Sequence, residues 1–166
     1  MLGWLALYAA GAYIADVLVR PAQVARGMDT GGKPVLNVGC GTEGSSLRVA
    51  LFGPTNWGDI NCDLNATGAC DIKSREPCHC NVQRLPFPDK FFGAAIASHV
   101  IEHVDNPKAA LAELARVADR IYVIVPKWWA PHTWLHPGHQ YYISGTQITP
   151  LWKKGSSQRL LPGRAV

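Results

Sequence analysis

Pro34-Val35-Leu36-Asn37-Val38-Gly39-Cys40-Gly41-Thr42-Glu43-Gly44 is the stretch on which the fold turns. An apolar run this short, stopped by glycines, predicts a buried parallel strand over 34–38. Glu43 to Phe52 then predicts a helix, closed by Gly53-Pro54. Glycines between a strand and a helix let a ligand come close to the backbone, and the helix start offers unpaired N–H donors and a positive dipole end. Asp63 ends the next predicted strand, Trp57 to Leu64, at about the spacing where an acidic residue reaches a ribose diol. Its carboxylate can accept from both hydroxyls, which selects an adenosine-type ligand over bare phosphate. On these residues alone a nicotinamide dinucleotide and S-adenosylmethionine fit equally, and a plain connecting turn with Asp63 as a cap stays open.

Working outward, Cys78 to Val82 predicts a third strand and Gly93 to Ala97 a fourth, built of small residues. Asn106 caps an amphipathic helix whose apolar side carries Ala109, Leu111, Leu114, Ala115 and Val117. Ile121 to Val125 predicts a fifth, fully buried strand ended by Pro126, and Gln140–Ile143 an extended piece. Strands alternating with helices imply right-handed crossovers and a mostly parallel sheet with helices on both faces. The expected organisation is an apolar helix and connector over 1–33, an α/β core over 34–126, and a basic aromatic segment over 127–166.

Four segments occur in an order that carries a resemblance. Leu36-Asn37-Val38-Gly39-Cys40-Gly41 opens it, and Asn81-Val82-Gln83-Arg84-Leu85-Pro86-Phe87-Pro88-Asp89-Lys90-Phe91-Phe92 follows. Ala97-Ser98-His99-Val100-Ile101-Glu102-His103-Val104 and Ala110-Leu111-Ala112-Glu113-Leu114-Ala115-Arg116-Val117 complete it. Together they resemble the "LNLGCG", "LPFPDNSFD", "ASHVLEHV" and "ALxELxRV" segments of class I S-adenosylmethionine-dependent methyltransferases, over about residues 34–126. The resemblance implies a Rossmann-like fold and S-adenosyl-L-methionine as cofactor. It implies that Gly39 and Gly41 line the methionine side and Asp63 the ribose, with Asn37 and Cys40 also among the cofactor-binding residues. Asn81 with Val82 would flank the adenine, and Ser98 would stand in the wall at the end of the fourth strand. Asn81 departs from the Asp often found there, although its amide carbonyl also accepts a hydrogen bond. Gly93 departs from the family's acid. The family commonly adds an antiparallel pair after the fifth strand; only about forty residues remain here, so the resemblance implies a fold abbreviated at the C-terminus.

His99 and His103, at the mouth of the implied pocket, are the candidates for a general base. Trp128, His132, Trp134, His136 and His139 follow the fifth strand, so they are expected at the carboxyl edge of the sheet, covering the pocket and selecting the acceptor. Their alternative role is to pack a sheet edge left bare. His99-x-x-Glu102-His103 spells an inverted zinc-protease motif but straddles a strand end, where the helical spacing that motif needs is missing. His132, His136 and His139 have a spacing that could gather a metal, yet substrate contacts fit that loop better, and no metal is assigned.

The net charge of +4 is unevenly placed: no acidic residue follows Asp119, whereas Arg120, Lys127, Lys153, Lys154, Arg159 and Arg164 do. That segment suits an anionic partner or a solvated tail. The odd count of five cysteines argues against a fully paired secreted framework. Cys62, Cys70, Cys78 and Cys80 lack a paired zinc-ligand spacing, and reduced thiols in a cytoplasmic protein are the expectation. Leu2 to Ala15 is apolar and uncharged, and Asp16 follows. A helix near 2–20, stopped at Pro21, is expected to bury Trp4, Leu5, Tyr8 and Tyr13 on the domain or a partner chain, with a membrane anchor over 2–19 as the alternative. The expected function is S-adenosylmethionine-dependent methyl transfer to an unidentified acceptor. A non-catalytic methyltransferase-like subunit and a nicotinamide-dependent oxidoreductase are the rivals.

Overall fold

Three short apolar runs in this chain lie where a strand must be covered on both faces. In the computed structural model they form a parallel sheet, of which every residue of β1 (Val35–Val38) and all but the last of β2 (Ile60–Asp63) and β4 (Phe92–Ser98) are buried. The structure describes residues 2–42, 55–72, 76–145, 147–151 and 158–159. The helix expected over 43–52 lies outside them. With β3 (Cys78–His79) and β5 (Ala118–Ile124), the sheet has the order β3-β2-β1-β4-β5, all pairs parallel. The chain starts in the middle and winds outward both ways, so every strand's carboxyl end points to one edge. Leu36, Val38, Phe92, Ala95 and Ala97 meet Ala110, Leu114 and Val117 in the core.

The helix α3 (Pro107–Val117) begins where the sequence indicates: Asn106 Oδ1 accepts from the Ala109 N–H at 3.1 Å. Its buried stripe is Pro107, Ala110, Leu114 and Val117, while Ala115, expected inside, faces out. Arg116 ties this helix to the Leu85–Asp89 segment, donating to the Leu85 and Phe87 carbonyls and to Asp89 and Glu113. Glu113 in turn accepts from the Leu85 N–H at 2.8 Å. Two of the motifs in the sequence are thus one structural joint.

Among the described residues, β6 (Tyr141–Ser144), β7 (Gln147–Pro150) and β8 (Gln158–Arg159) form a separate antiparallel sheet. Two expectations need correction. The fifth strand is not fully buried: β5 stands at the edge of the sheet and, among the described residues, pairs with β4 alone. The thiols are not all reduced. Cys62 bridges Cys80 and, nested within that loop, Cys70 bridges Cys78, with Cα–Cα separations of 5.6 and 4.9 Å. Spacing along the chain does not signal this pairing, because Cys62 and Cys78 become neighbours only through the register of β2 on β3.

The N-terminal helix also departs from expectation. It runs as α1 (Leu2–Tyr13), a π-helical segment (Ile14–Val19) and α2 (Arg20–Arg26), passing Pro21 without stopping. The Arg20 N–H reaches back to the Ala15 carbonyl, so the wider π turn relieves the crowding a proline ring causes in an α-helix. Asp16, 2% exposed, docks the helix: it accepts from Arg20 Nη1 at 2.9 Å and from the Lys127 N–H at 3.0 Å. Arg20 also donates to the Val125 carbonyl. Trp4, Leu5 and Tyr8 are exposed rather than buried on the domain, Trp4 at 78%, because the docking contacts lie further along the helix.

Candidate active site

The carboxyl edge of the sheet gathers the motif loops. Beyond β1, Gly39 and Gly41 have φ of +69° and +85°. At Gly39 this region and space both demand glycine, since a Cβ would overlap Val100 Cγ2. The Gly39 and Cys40 N–H groups donate to the Cys62 carbonyl at 2.7 and 3.2 Å, which seats the turn on the end of β2. Cys40 is buried and lies outside both disulfides.

Asp63, half-buried, accepts from the Gly41 N–H through Oδ2 and from the Asn65 N–H through Oδ1, each at 3.0 Å. A carboxylate oxygen takes two hydrogen bonds, so both oxygens keep capacity for a vicinal diol. The glycine turn, the acid beside it and its remaining acceptor capacity fit the ribose and methionine ends of S-adenosylmethionine. Cys80 N–H donates to the Asp63 carbonyl, and the Cys62–Cys80 bridge joins the residues next to Asp63 and Asn81. Ribose-side and adenine-side candidates are therefore held together covalently. Asn81 is exposed and its Oδ1 accepts from the Gln83 N–H at 2.9 Å; Val82 is buried beside it.

Other candidates are placed differently. Asn37 is buried inside β1 and spends its amide on Thr55 and Asn61, in a knot that Asn61 extends to Gly58. Ser98, half-buried, ends β4. His99 follows with φ +56°, a conformation uncommon for a residue with a Cβ, held by its N–H on the Ile124 carbonyl. Its Nε2 lies 3.1 Å from the Asp16 carbonyl and its Nδ1 3.4 Å from Glu102 Oε1. Burial pulls the His99 pKa down, but Glu102 and Asp16 outweigh it and hold the imidazole above its ordinary value. Both ring nitrogens thus face protein groups.

The loop after β5 divides. His132 lies 3.4 Å from Asp16 Oδ2 and edge-on to Tyr13. Trp134 donates to the Trp128 carbonyl at 2.6 Å and stacks on Tyr142, and Trp128, Trp129 and Trp134 are all exposed. They do not pack a bare sheet edge. His136 and His139 instead come together with His103. Two residues escaped the sequence reading as parts of this region. Asp16 looked like a charge interrupting an apolar run, and Glu102, 1% exposed, like part of a misplaced motif. A lone acid within an apolar helix was the available signal for the first.

Fold and edge define a doubly wound, Rossmann-like domain. A methyltransferase-domain model matches residues 36–120, half of the chain, and the chain belongs to that family of class I S-adenosylmethionine-dependent methyltransferases. A fatty-acid O-methyltransferase from Mycolicibacterium smegmatis is 34% identical over 97 residues, covering 54% of this chain and 34% of that protein. A ubiquinone/menaquinone biosynthesis C-methyltransferase from Xanthomonas oryzae is 31% identical over 96 residues, covering 52% and 38%. The chain thus spans little more than a third of the length of the curated relatives it matches.

Proposed function

We propose that this chain binds S-adenosylmethionine at the carboxyl edge of β1 and β2 and transfers its methyl group to an apolar, lipid-like acceptor. The observation that carries the first half is the seat of Gly41 on Asp63, a glycine turn fixed against a half-buried acid with acceptor capacity to spare. When bound, S-adenosylmethionine supplies a methyl group already activated by a positive sulfur. The protein's own part is then to orient, desolvate and exclude water, and no general base is required. His99, held between Asp16 and Glu102, fixes the end of β4 for that purpose.

Two features support an apolar acceptor. The docked segment of the N-terminal helix meets the same edge through His99 and Lys127, and Tyr8 reaches the Trp129 carbonyl at 3.2 Å. The relatives named above act, by their names, on a fatty acid and in quinone biosynthesis. The helix from Gly3 to Arg26 is long and apolar enough to cross a membrane, yet its second half is held on the domain by Asp16. A peripheral position, with α1 dipping into a lipid surface, reconciles the two.

Calorimetry with S-adenosylhomocysteine, S-adenosylmethionine and NAD tests the donor. The first two are expected to bind and NAD not to. Asp63→Ala is expected to weaken S-adenosylhomocysteine by about 1–3 kcal/mol through lost charge-assisted hydrogen bonds. Labelled methyl transfer is expected to a fatty acid or a quinol. Binding without transfer to any lipid acceptor would favour the non-catalytic subunit, and NAD binding the oxidoreductase.

A further inference from the structure

The loop after β5 brings three imidazoles together that the sequence grouped differently. His103 ends the 3-10 turn Ile101–His103, and His136 and His139 flank Pro137-Gly138 beyond the short helix α4 (Pro131–Leu135). One ring nitrogen of each lies within 4.8 Å of the other two. The surrounding hydrogen bonds fix two of the tautomers. A carbonyl oxygen only accepts, so His103 Nδ1, 2.9 Å from the Gly138 carbonyl, and His139 Nδ1, 2.9 Å from the Thr133 carbonyl, must both carry protons. Each neutral ring then keeps its lone pair at Nε2. Donation from the other nitrogen to a backbone carbonyl is the support that metal-bound histidines receive. His136 offers Nδ1, whose lone pair accepts from the Gly138 N–H at 3.1 Å and is open to competition by an ion.

A second observation points the same way. Both carboxylate oxygens of Glu102 are buried and neither has a hydrogen-bond partner. Its contact with His99 at 3.4 Å is an ion pair without hydrogen-bond geometry. Glu102 directly precedes His103, and its backbone carbonyl accepts at 2.8 Å from the N–H of Gln140, the residue after His139. A buried carboxylate left this way is costly unless positive charge stands near it. A divalent cation among the three imidazoles adds to that charge.

We propose that His103, His136 and His139 form a zinc site that clamps the 127–140 loop to the turn after β4. Three imidazoles suit zinc, and the exposure of His136 leaves the fourth position open to water or to an oxygen of a substrate. With zinc–nitrogen bonds of about 2.0–2.1 Å, tetrahedral ligand atoms lie roughly 3.4 Å apart, so the nitrogens must close by roughly 1.4 Å at most. The exposed Pro137-Gly138 turn has the freedom for that movement. His132, the third histidine of the sequence pattern, is taken up by Asp16 instead.

The test uses the full chain, stripped with a chelator and titrated with zinc chloride against a fluorescent zinc indicator without S-adenosylmethionine. Its outcome is therefore independent of methyl-donor binding. One zinc per chain by elemental analysis is expected, with a dissociation constant in the micromolar range or tighter. His136→Ala, at an exposed position, should weaken zinc at least tenfold with unchanged circular dichroism, and His103→Gln should do the same. His132→Ala should leave the affinity intact. Cobalt substitution should give the visible bands of a tetrahedral site, lost in His136→Ala. Absence of stoichiometric zinc, or zinc binding that survives both His136→Ala and His103→Gln, would overturn the proposal.

Discussion

A methyl group at position 39 would meet two obstacles at once. The positive φ costs a non-glycine residue about 1–2 kcal/mol, and the new Cβ would press on Val100 at the turn after β4. Gly39→Ala is therefore expected to lower stability by about 2–3 kcal/mol and S-adenosylhomocysteine affinity at least tenfold, read by thermal melting and calorimetry. Unchanged affinity would mean that the turn is a plain connection with no part in holding the ligand. The setting of Gly39 and Asp63 was legible in the sequence because the contacts that hold them run to neighbours a few residues away or to the adjacent strand. Gly93 was legible only as a departure. The structure explains it: a Cβ there would overlap the Thr30 carbonyl, so the connector before β1 occupies the space an acid needs. The histidines could not be assigned from the sequence, since their ring nitrogens answer to Asp16, Glu102 and Gly138 on other elements.

Among the elements, the N-terminal helix tests the physics most directly, because one buried carboxylate holds it. Burial works against the charge on Asp16, but His132, the Lys127 N–H and Arg20 outweigh it and keep its pKa far below the usual carboxylate range. A depressed carboxylate pKa contributes stability above the unfolded value of about 3.9, lost as pH falls through the folded one. His99 has the opposite sign: its raised pKa contributes fully below about 6.5, and that contribution fades as pH rises through the folded value. Docking of residues 14–26 is thus expected to be firmest between about pH 4 and 6.5. His136 and His139, both depressed, oppose this trend in their own loop, so the readout must be local. Hydrogen exchange of the helix amides against pH measures it. Asp16→Ala should cost about 2–4 kcal/mol of docking and flatten the acid limb. The sequence showed this helix but placed its end wrongly, because a proline rule written for α-helices does not apply where a π turn has already widened the backbone.

For the whole molecule, the order of sheet, turn and acid was readable from hydrophobic periodicity, while the exposed face of α1 was not. Periodicity tells apolar from polar and cannot tell what will cover an apolar helix. Residues 2–11, helical throughout, extend about 15 Å, half of a hydrocarbon core of about 30 Å. Flotation with phosphatidylcholine vesicles is expected to carry the protein, with a blue shift of tryptophan emission. Trp4→Ser with Leu7→Ser should reduce partitioning at least tenfold, since each apolar side chain contributes about 1.5–3 kcal/mol on burial. Equal partitioning of the variant would return α1 to a protein partner. The nested disulfides have a consequence of another kind, in time rather than in space. The inner ring joins residues 8 apart and the outer ring residues 18 apart, so the inner bond can close by local diffusion while β2 and β3 are still separate. The outer bond is favoured by the register of Cys62 opposite Cys78, so it is expected to close after the inner one. Once closed, it ties the residue before Asp63 to the residue before Asn81 whatever the strands around them do.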